Sequence, residues 1–461
     1  MREWRRETDT LGDVMVPAEA LYGAQTARAI TNFPISGWRL PAAFLSHLVL
    51  VKKAMAKVNG ELGILPEPVA AAIVAAAHEV LGGELWDHFP VDVFQTGSAT
   101  STNMNVNEVL AQLANRRLAS TGLRVHPNDH VNLGQSSNDT VPAAARMAAW
   151  RAGRETVLPA GRRVVETLAG LSQRFRRTVT LGRTHLVDAV PTTYGRIFDG
   201  WARRVGRALT RVENDLGPVA ELPLGGTALG SGLNANPKAV GRAVELLRQW
   251  TGGPWALMAN PAVGIAAWDD LLALASSYSH LAGVFFALAQ DVRLRSSGPY
   301  GGLGELRLPA VQPGSSLMPG KVNPVIPEAV AQACLEVRGL SGAVAESQAL
   351  AQLDLFHAAP LVIWNLDTAA RLLASASTVF VERCLSGLEV DEARCRELAA
   401  RSPALVTALA LEVGYDKAAA VAKAMQETSQ DLQTAALRLG FDPTVVAKVL
   451  DLERLAGVLE P

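Results

Sequence analysis

The sequence predicts a mainly all-α protein built around a long helical bundle, and three observations carry that expectation. Ile197, Trp201, Val205, Val212 and Leu216 recur at spacings that keep one apolar stripe on a helix, with Arg203, Arg204, Arg207 and Arg211 mostly elsewhere around it. Leu271–Gln290 runs for twenty residues without a formal charge, the all-round apolar surface of a helix buried among others. Glu328–Val344 and Ala359–Phe380 are apolar and alanine-rich while alternating strand patterns are scarce, and alanine lets helix axes approach closely.

Taken in order, the elements divide the chain into three parts. A length of 461 residues exceeds one compact core. The expected parts are a mainly helical amino-terminal domain over residues 1–134, a central helical bundle over 135–390 and a small helical carboxy-terminal domain over 391–461. Glycine and proline cluster at Gly217–Pro237, Gly252–Pro261 and Ser296–Pro327, which places the polar motifs on loops held by rigid helices. Leu271–Gln290 is long enough to cross a membrane. Ser276, Ser277, Ser279 and His280 interrupt its surface and Asp269, Asp270, Asp291 and Arg293 crowd its ends, so it reads as a core helix.

Composition excludes several classes of function. Lys plus Arg number 43 against 44 Asp plus Glu, which gives no basic field for nucleic acid or an anionic membrane. The three cysteines, Cys334, Cys384 and Cys395, have no metal spacing and form no disulfide framework. Met1–Thr10 is charged and has no apolar secretory run, so a cytoplasmic protein is expected. No metal and no cofactor is expected, because His, Cys and carboxylates show no ligand cluster.

Chemistry concentrates in a few segments. Gly314-Ser315-Ser316-Leu317-Met318-Pro319-Gly320-Lys321-Val322-Asn323-Pro324 packs two hydroxyls, a lysine and an amide into a loop stiffened by proline, a combination suited to an anion. Turn chemistry alone would explain an isolated Gly-Ser-Ser. Gln95–Asn105 contains Ser98 and Thr100, Gln135–Asp139 contains Ser136, Ser137 and Asn138, and Gly182–Ala189 contains Thr184 and His185.

These four segments together resemble the signatures of the fumarase/aspartase superfamily of lyases, and the pairing of Gln95–Ser98 with His126–Asp129 and Gly225–Ala228 is most similar to class II fumarase. Val16–Ala18, Tyr22–Thr26 and Gly414–Ala419 extend the likeness to both ends. The resemblance implies the superfamily's three-domain fold and a homotetramer whose active sites draw on three chains. It also implies reversible hydration of fumarate to L-malate through a carbanion, or aci-carboxylate, intermediate. Removing a proton beside a carboxylate drives charge onto that carboxylate, so donors must be aimed at it. Ser98, Thr100, Ser136, Ser137, Asn138, Thr184, Lys321 and Asn323 supply hydroxyls, amides and a cation.

By the same resemblance Ser315 is the base, acting as an alkoxide, which requires a site closed to water and nearby donors. His185, a residue that is structural more often than catalytic, either delivers a proton to the leaving hydroxyl or grips the far carboxylate. Glu328 resembles the carboxylate that pairs with it and would raise its pKa. Arg124, His126, Asn128 and Asp129 resemble a second dicarboxylate site; a capped turn starting the next helix explains them equally well. Arg124 stands closer to His126 than the family pattern has it.

Other departures are Tyr300 where many relatives carry Arg, Ala99 where glycine is usual, and Leu353-Asp354-Leu355-Phe356 in place of Phe-Glu-Leu-Asn. An aspartate ammonia-lyase is the alternative in the same fold. A non-catalytic structural relative is the outsider, since it would have no need of Ser315, Lys321, Asn323 and His185 together.

Overall fold

A computed structural model describes residues 3–458. Five long helices dominate it: Leu158–Arg174, Tyr194–Val219, Asp269–Arg295, Val325–Glu346 and Ala359–Arg383. Four of them extend by a few residues the stretches that apolar patterning identified, and Leu158–Arg174 adds to these. The chain separates into two compact units, one of Met1–Pro159, Thr210–Ala282 and Glu336–Leu373, the other of Ala160–Leu209, Gly283–Leu335 and Ala374–Pro461. Each long helix contributes a segment to both.

The first unit opens with an antiparallel hairpin, Trp4–Asp9 against Gly12–Pro17. Helices Ala42–Glu61, Glu67–Leu81, Thr100–Arg117, Ser137–Ala152 and Pro237–Thr251 follow. Its core joins Val51, Met55 and Val58 to Met147, Val244, Leu247 and Trp255, and the Trp150 ring meets Trp255 edge-on at 5.3 Å. Arg146, 1% exposed, donates from Nε and Nη2 to the two carboxylate oxygens of Asp270 at 2.8 and 2.9 Å. That two-pronged match satisfies a buried pair, and removing one partner would strand the other.

The second unit holds a hairpin that the sequence did not announce: Val179–Thr184 pairs antiparallel with Val187–Thr193. Val179, Thr180, Thr192 and Thr193 suit strands. A register shift between Leu181 and Arg183 breaks the regular alternation. Val179 and Leu181 pack into a core made otherwise by the short carboxy-terminal helices, including Leu405, Leu409, Val421, Leu432, Ala436 and Val449. Glu305, fully buried, lies 2.7 Å from Arg183 and 2.9 Å from Arg295 and accepts from the Tyr194 hydroxyl at 2.9 Å.

Helix Asp269–Arg295 is the one helix among the described residues with the length and hydropathy of a membrane span; its most apolar window averages 1.6, and 61% of that window is buried within the chain. A protein-facing helix explains that burial. All three cysteines are free and buried, and burial pushes each thiol up to about 12.

Candidate active site

In the first unit, two helix starts carry the expected donors. Ala99 precedes helix Thr100–Arg117 in the left-handed region, with φ at 57°, and is completely buried. A left-handed alanine costs about 1 kcal/mol, and such strain gathers where geometry serves a site. Ser98 and Thr100 hydroxyls are 2.9 Å apart, and Thr100 is 2.8 Å from the Ser137 hydroxyl. Gln95 fixes the loop from behind: its side-chain oxygen accepts from the Thr102 amide and hydroxyl, and its amide nitrogen donates to Asp92. Gly97 leaves no room for a side chain, since a Cβ would stand 2.2 Å from the His357 carbonyl oxygen.

Helix Ser137–Ala152 starts with a capping box. The Ser136 hydroxyl accepts from the Asn138 amide, and Asp139 accepts from the Ser136 amide at 2.9 Å. The other Asp139 oxygen accepts from the amides of Gly225 and Thr227, each at 3.0 Å. Burial raises the Asp139 pKa to about 6 against the pull of these bonds and of Lys52. Asn138 donates to the Ala228 carbonyl at 3.0 Å. Ser98, Thr100, Ser136, Ser137 and Asn138 therefore converge on one polar surface, backed by Asp139.

The second unit holds the remaining groups. Thr184 ends one strand of the Val179–Thr193 hairpin, and His185 and Leu186 form its turn with φ at 56° and 63°. Turns of two left-handed residues ordinarily use Asn and Gly. Both Thr184 and His185 are exposed.

The Gly314–Pro324 loop is ordered by its own bonds. The Gly314 amide donates to the Lys321 carbonyl at 2.9 Å, and the Asn323 side-chain amide donates to the Gly314 carbonyl at 2.5 Å. Gly314 permits this approach, since a Cβ there would lie 2.2 Å from the Lys321 oxygen. The Ser315 hydroxyl accepts from the amides of Leu317 and Met318 at 3.1 and 3.0 Å. Two donors aimed at that oxygen are the kind of partner that favours its anionic form.

Lys321 is exposed and makes no ion pair among the described residues. It lines, with Asn323, a cleft of about 990 Å³ that also includes Arg293, Tyr300, Arg307 and Arg394. Glu328, in the first turn of Val325–Glu346, is matched within one chain with Arg293, at 3.7 Å, rather than with a histidine.

Arg124, His126, Asn128 and Asp129 are exposed. His126 caps the short Pro127–Val131 turn: its Nδ1 accepts from the Asp129 amide and lies 3.2 Å from the Asp129 carboxylate. The capped-turn description accounts for this local geometry. Among the described residues no three His, Cys, Asp or Glu side chains group as metal ligands.

Several supporting residues escaped the motifs. Asp139 ends the Gln135–Asp139 segment, and Lys52 lies outside every motif. Lys52 does have a signal: it falls with Leu48, Val51 and Met55 on one helical stripe.

The profile of the family described as lyase matches residues 12–339, and that of the fumarase C C-terminus matches residues 405–457. Class II fumarate hydratase of Xylella fastidiosa is 44% identical over 449 residues, covering 97% of this chain and 94% of the relative. The enzyme of that description from Mycobacterium tuberculosis is 44% identical over 457 residues, covering 99% and 95%. Among solved structures, class II fumarase from Schistosoma mansoni superposes with a TM-score of 0.95 at 32% identity, covering 99% of this chain and 100% of that one. A fumarate lyase:delta crystallin from Brucella melitensis, bound to cobalt, gives 0.92 at 40% identity, covering 98% and 100%. With helix starts that present clustered hydroxyls and amides, a Ser-Ser-Leu-Met-Pro-Gly-Lys loop and full-length similarity of this order, the chain belongs to the class II fumarate hydratase family of lyases.

Proposed function

We propose that the chain is a fumarate hydratase that interconverts fumarate and L-malate. The carrying observation is the 44% identity to class II fumarate hydratases along 97% of the sequence, supported by the hydroxyl and amide cluster around Thr100 and Asn138. In the dehydrating direction, Ser315 as alkoxide removes the C3 proton of malate. The electron pair moves into the neighbouring carboxylate, giving the aci-carboxylate. Donors from the Thr100, Ser136–Asn138, Thr184, Lys321 and Asn323 set meet that charge; loss of a single well-placed donor raises such a barrier by about 3 kcal/mol, and the effects of several do not add. The electrons then return to form the C2–C3 double bond, and the C2 hydroxyl leaves as water with a proton delivered by His185 or by a water that His185 holds. Glu328 is the carboxylate we assign as that histidine's partner in the assembled enzyme.

The assembly we infer is a homotetramer with active sites shared among chains, in which the three segments 1–134, 135–390 and 391–461 act as domains and the protein works in the cytoplasm. The exposure of Leu186, at 80%, and Leu353, at 95%, supports burial of these tips by other copies. The dicarboxylate assignment is tested on purified protein in chelator: fumarate should lose its ultraviolet absorbance and yield malate, while aspartate should release little ammonia. Faster ammonia release from aspartate would transfer the assignment to an aspartate ammonia-lyase. Shared sites are tested by mixing Ser315→Ala with His185→Asn protein under subunit exchange, which should restore part of the activity; verified mixed oligomers without recovery would place both residues on one chain.

A further inference from the structure

Lys52, in the middle of helix Ala42–Glu61, is fully buried. A buried ammonium is unfavourable unless it is matched, and burial lowers its pKa to about 7 although Asp139 pulls the other way. Its Nζ donates to the Asn132 side-chain oxygen at 2.7 Å. The same oxygen receives Asn103 Nδ2 at 3.3 Å and Asn107 Nδ2 at 3.2 Å, both from helix Thr100–Arg117. Asn132 in turn donates to the Gln135 carbonyl at 3.1 Å, closing the turn that delivers Ser136. The Thr140 hydroxyl completes the circuit, lying 3.2 Å from the Asn103 side-chain oxygen and 2.8 Å from the Ser136 carbonyl.

One carbonyl oxygen thus joins three elements: the lysine helix, the helix that begins at Thr100 and the turn that precedes Ser137. An amide oxygen has two lone pairs, so three donors compete for it. The ammonium is the strongest of them and comes from a different helix than the two asparagines, which fixes Asn132 against rotation. A methionine would fill the lysine's volume without its desolvation penalty. What it would lose is the tether.

We propose that Lys52 is a positioning residue for the hydration reaction, holding the Thr100 donors and the Ser136–Asn138 donors in mutual register through Asn132. The inference rests on the hydratase reading for its substrate. It predicts a separation that a merely structural lysine would not produce. Lys52→Met should keep the oligomer and a thermal midpoint near that of the parent protein, yet raise KM for fumarate about tenfold or more with a smaller change in kcat, because ground-state and transition-state contacts to the carboxylate weaken together.

The experiment compares the parent protein, Lys52→Met, Asn132→Leu and the double variant by steady-state kinetics on fumarate and by calorimetric binding of succinate. A KM effect in Lys52→Met, equal weakening of succinate, and a double variant no worse than Asn132→Leu support the tether. A KM within about twofold of the parent value, or effects that multiply in the double variant, overturn it. Should Lys52→Met fail to fold, Lys52→Leu, which likewise removes the donor, meets the same criteria. If the parent protein leaves fumarate unchanged, the hydratase reading fails, and succinate affinity alone then decides the tether: weakened by the substitution, it stands; unchanged, it falls.

Discussion

The Ser136–Asn138 turn and the Gly314–Pro324 loop both present serine hydroxyls and an asparagine amide, yet they are held differently. Behind the first stands a buried carboxylate: Asp139 accepts from the amides of Ser136, Gly225 and Thr227, and Asn138 is itself tied to Ala228. The second is closed by Gly314–Lys321 and Asn323–Gly314 bonds within the loop itself, with Leu317 at 84% and Met318 at 50% exposure. Donors that must already point at a developing charge gain from a rigid backing. A segment supported by few buried contacts opens at low free energy. The comparison teaches that removing the carboxylate behind the turn will change stability, whereas mutations in the loop will change chemistry and leave stability alone.

The sharpest break is Ser315→Ala. Turnover should fall about 1,000-fold or more, as for loss of a reacting base, with a thermal midpoint like that of the parent protein; near-parental turnover would remove Ser315 from the reaction. The reverse case is Asp139→Ala, which leaves three backbone amides without their acceptor. It should lower unfolding free energy by about 3 kcal/mol or more, read by urea denaturation, and an unchanged midpoint would contradict the rigid-backing account.

A third test uses pH. The folded-state pKa of Lys52 is about 7 against 10.5 for the free side chain. Between these values the unfolded chain binds the proton that the folded chain has released, so this group's contribution to stability rises with pH. It is present in full above 10.5 and lost as pH falls through about 7. The stability difference between parent and Lys52→Met should therefore shift by about 2 kcal/mol from pH 7 to about 9, in the parent's favour at the higher pH. A difference flat across that range would mean that Lys52 is not buried as described. The smallest effect belongs to Arg124→Ala: an exposed residue beside a self-capped turn should alter kcat/KM by about twofold at most and stability by less than about 0.5 kcal/mol.

The long helices were legible because burial on most faces leaves an unmistakable run of apolar residues, as in Leu271–Gln290 and Ala359–Phe380. The Val179–Thr193 hairpin was not, because Gly182, the shift near Arg183 and Pro191 interrupt the alternation that marks a strand. Motifs at Thr100, Asn138, His185 and Ser315 stood out through their resemblance to a known family, since residue type alone fits a turn or a structural histidine as well. Their supports could not. Lys52 shares a helical stripe with Leu48, Val51 and Met55, but its charge and the neighbouring Lys53 suggest a solvated face, and the partner that makes its full burial tolerable, Asn132, lies eighty residues away. Trp268 and Phe356 show a similar limit: their stacked rings, 5.2 Å apart, explain how an aromatic residue is accommodated at the Phe356 departure, a pairing that sequence distance conceals.

The two left-handed residues at the hairpin turn, His185 and Leu186, set a trade-off between durability and activity. Neither suits that backbone, whereas Asn and Gly do. Substitutions that relax the turn, such as His185→Asn, should make the fold sturdier by a fraction of about 1 kcal/mol while disabling the proposed proton delivery. A selection for thermal robustness alone would drift toward those replacements. Only a screen that demands turnover would keep the histidine in place.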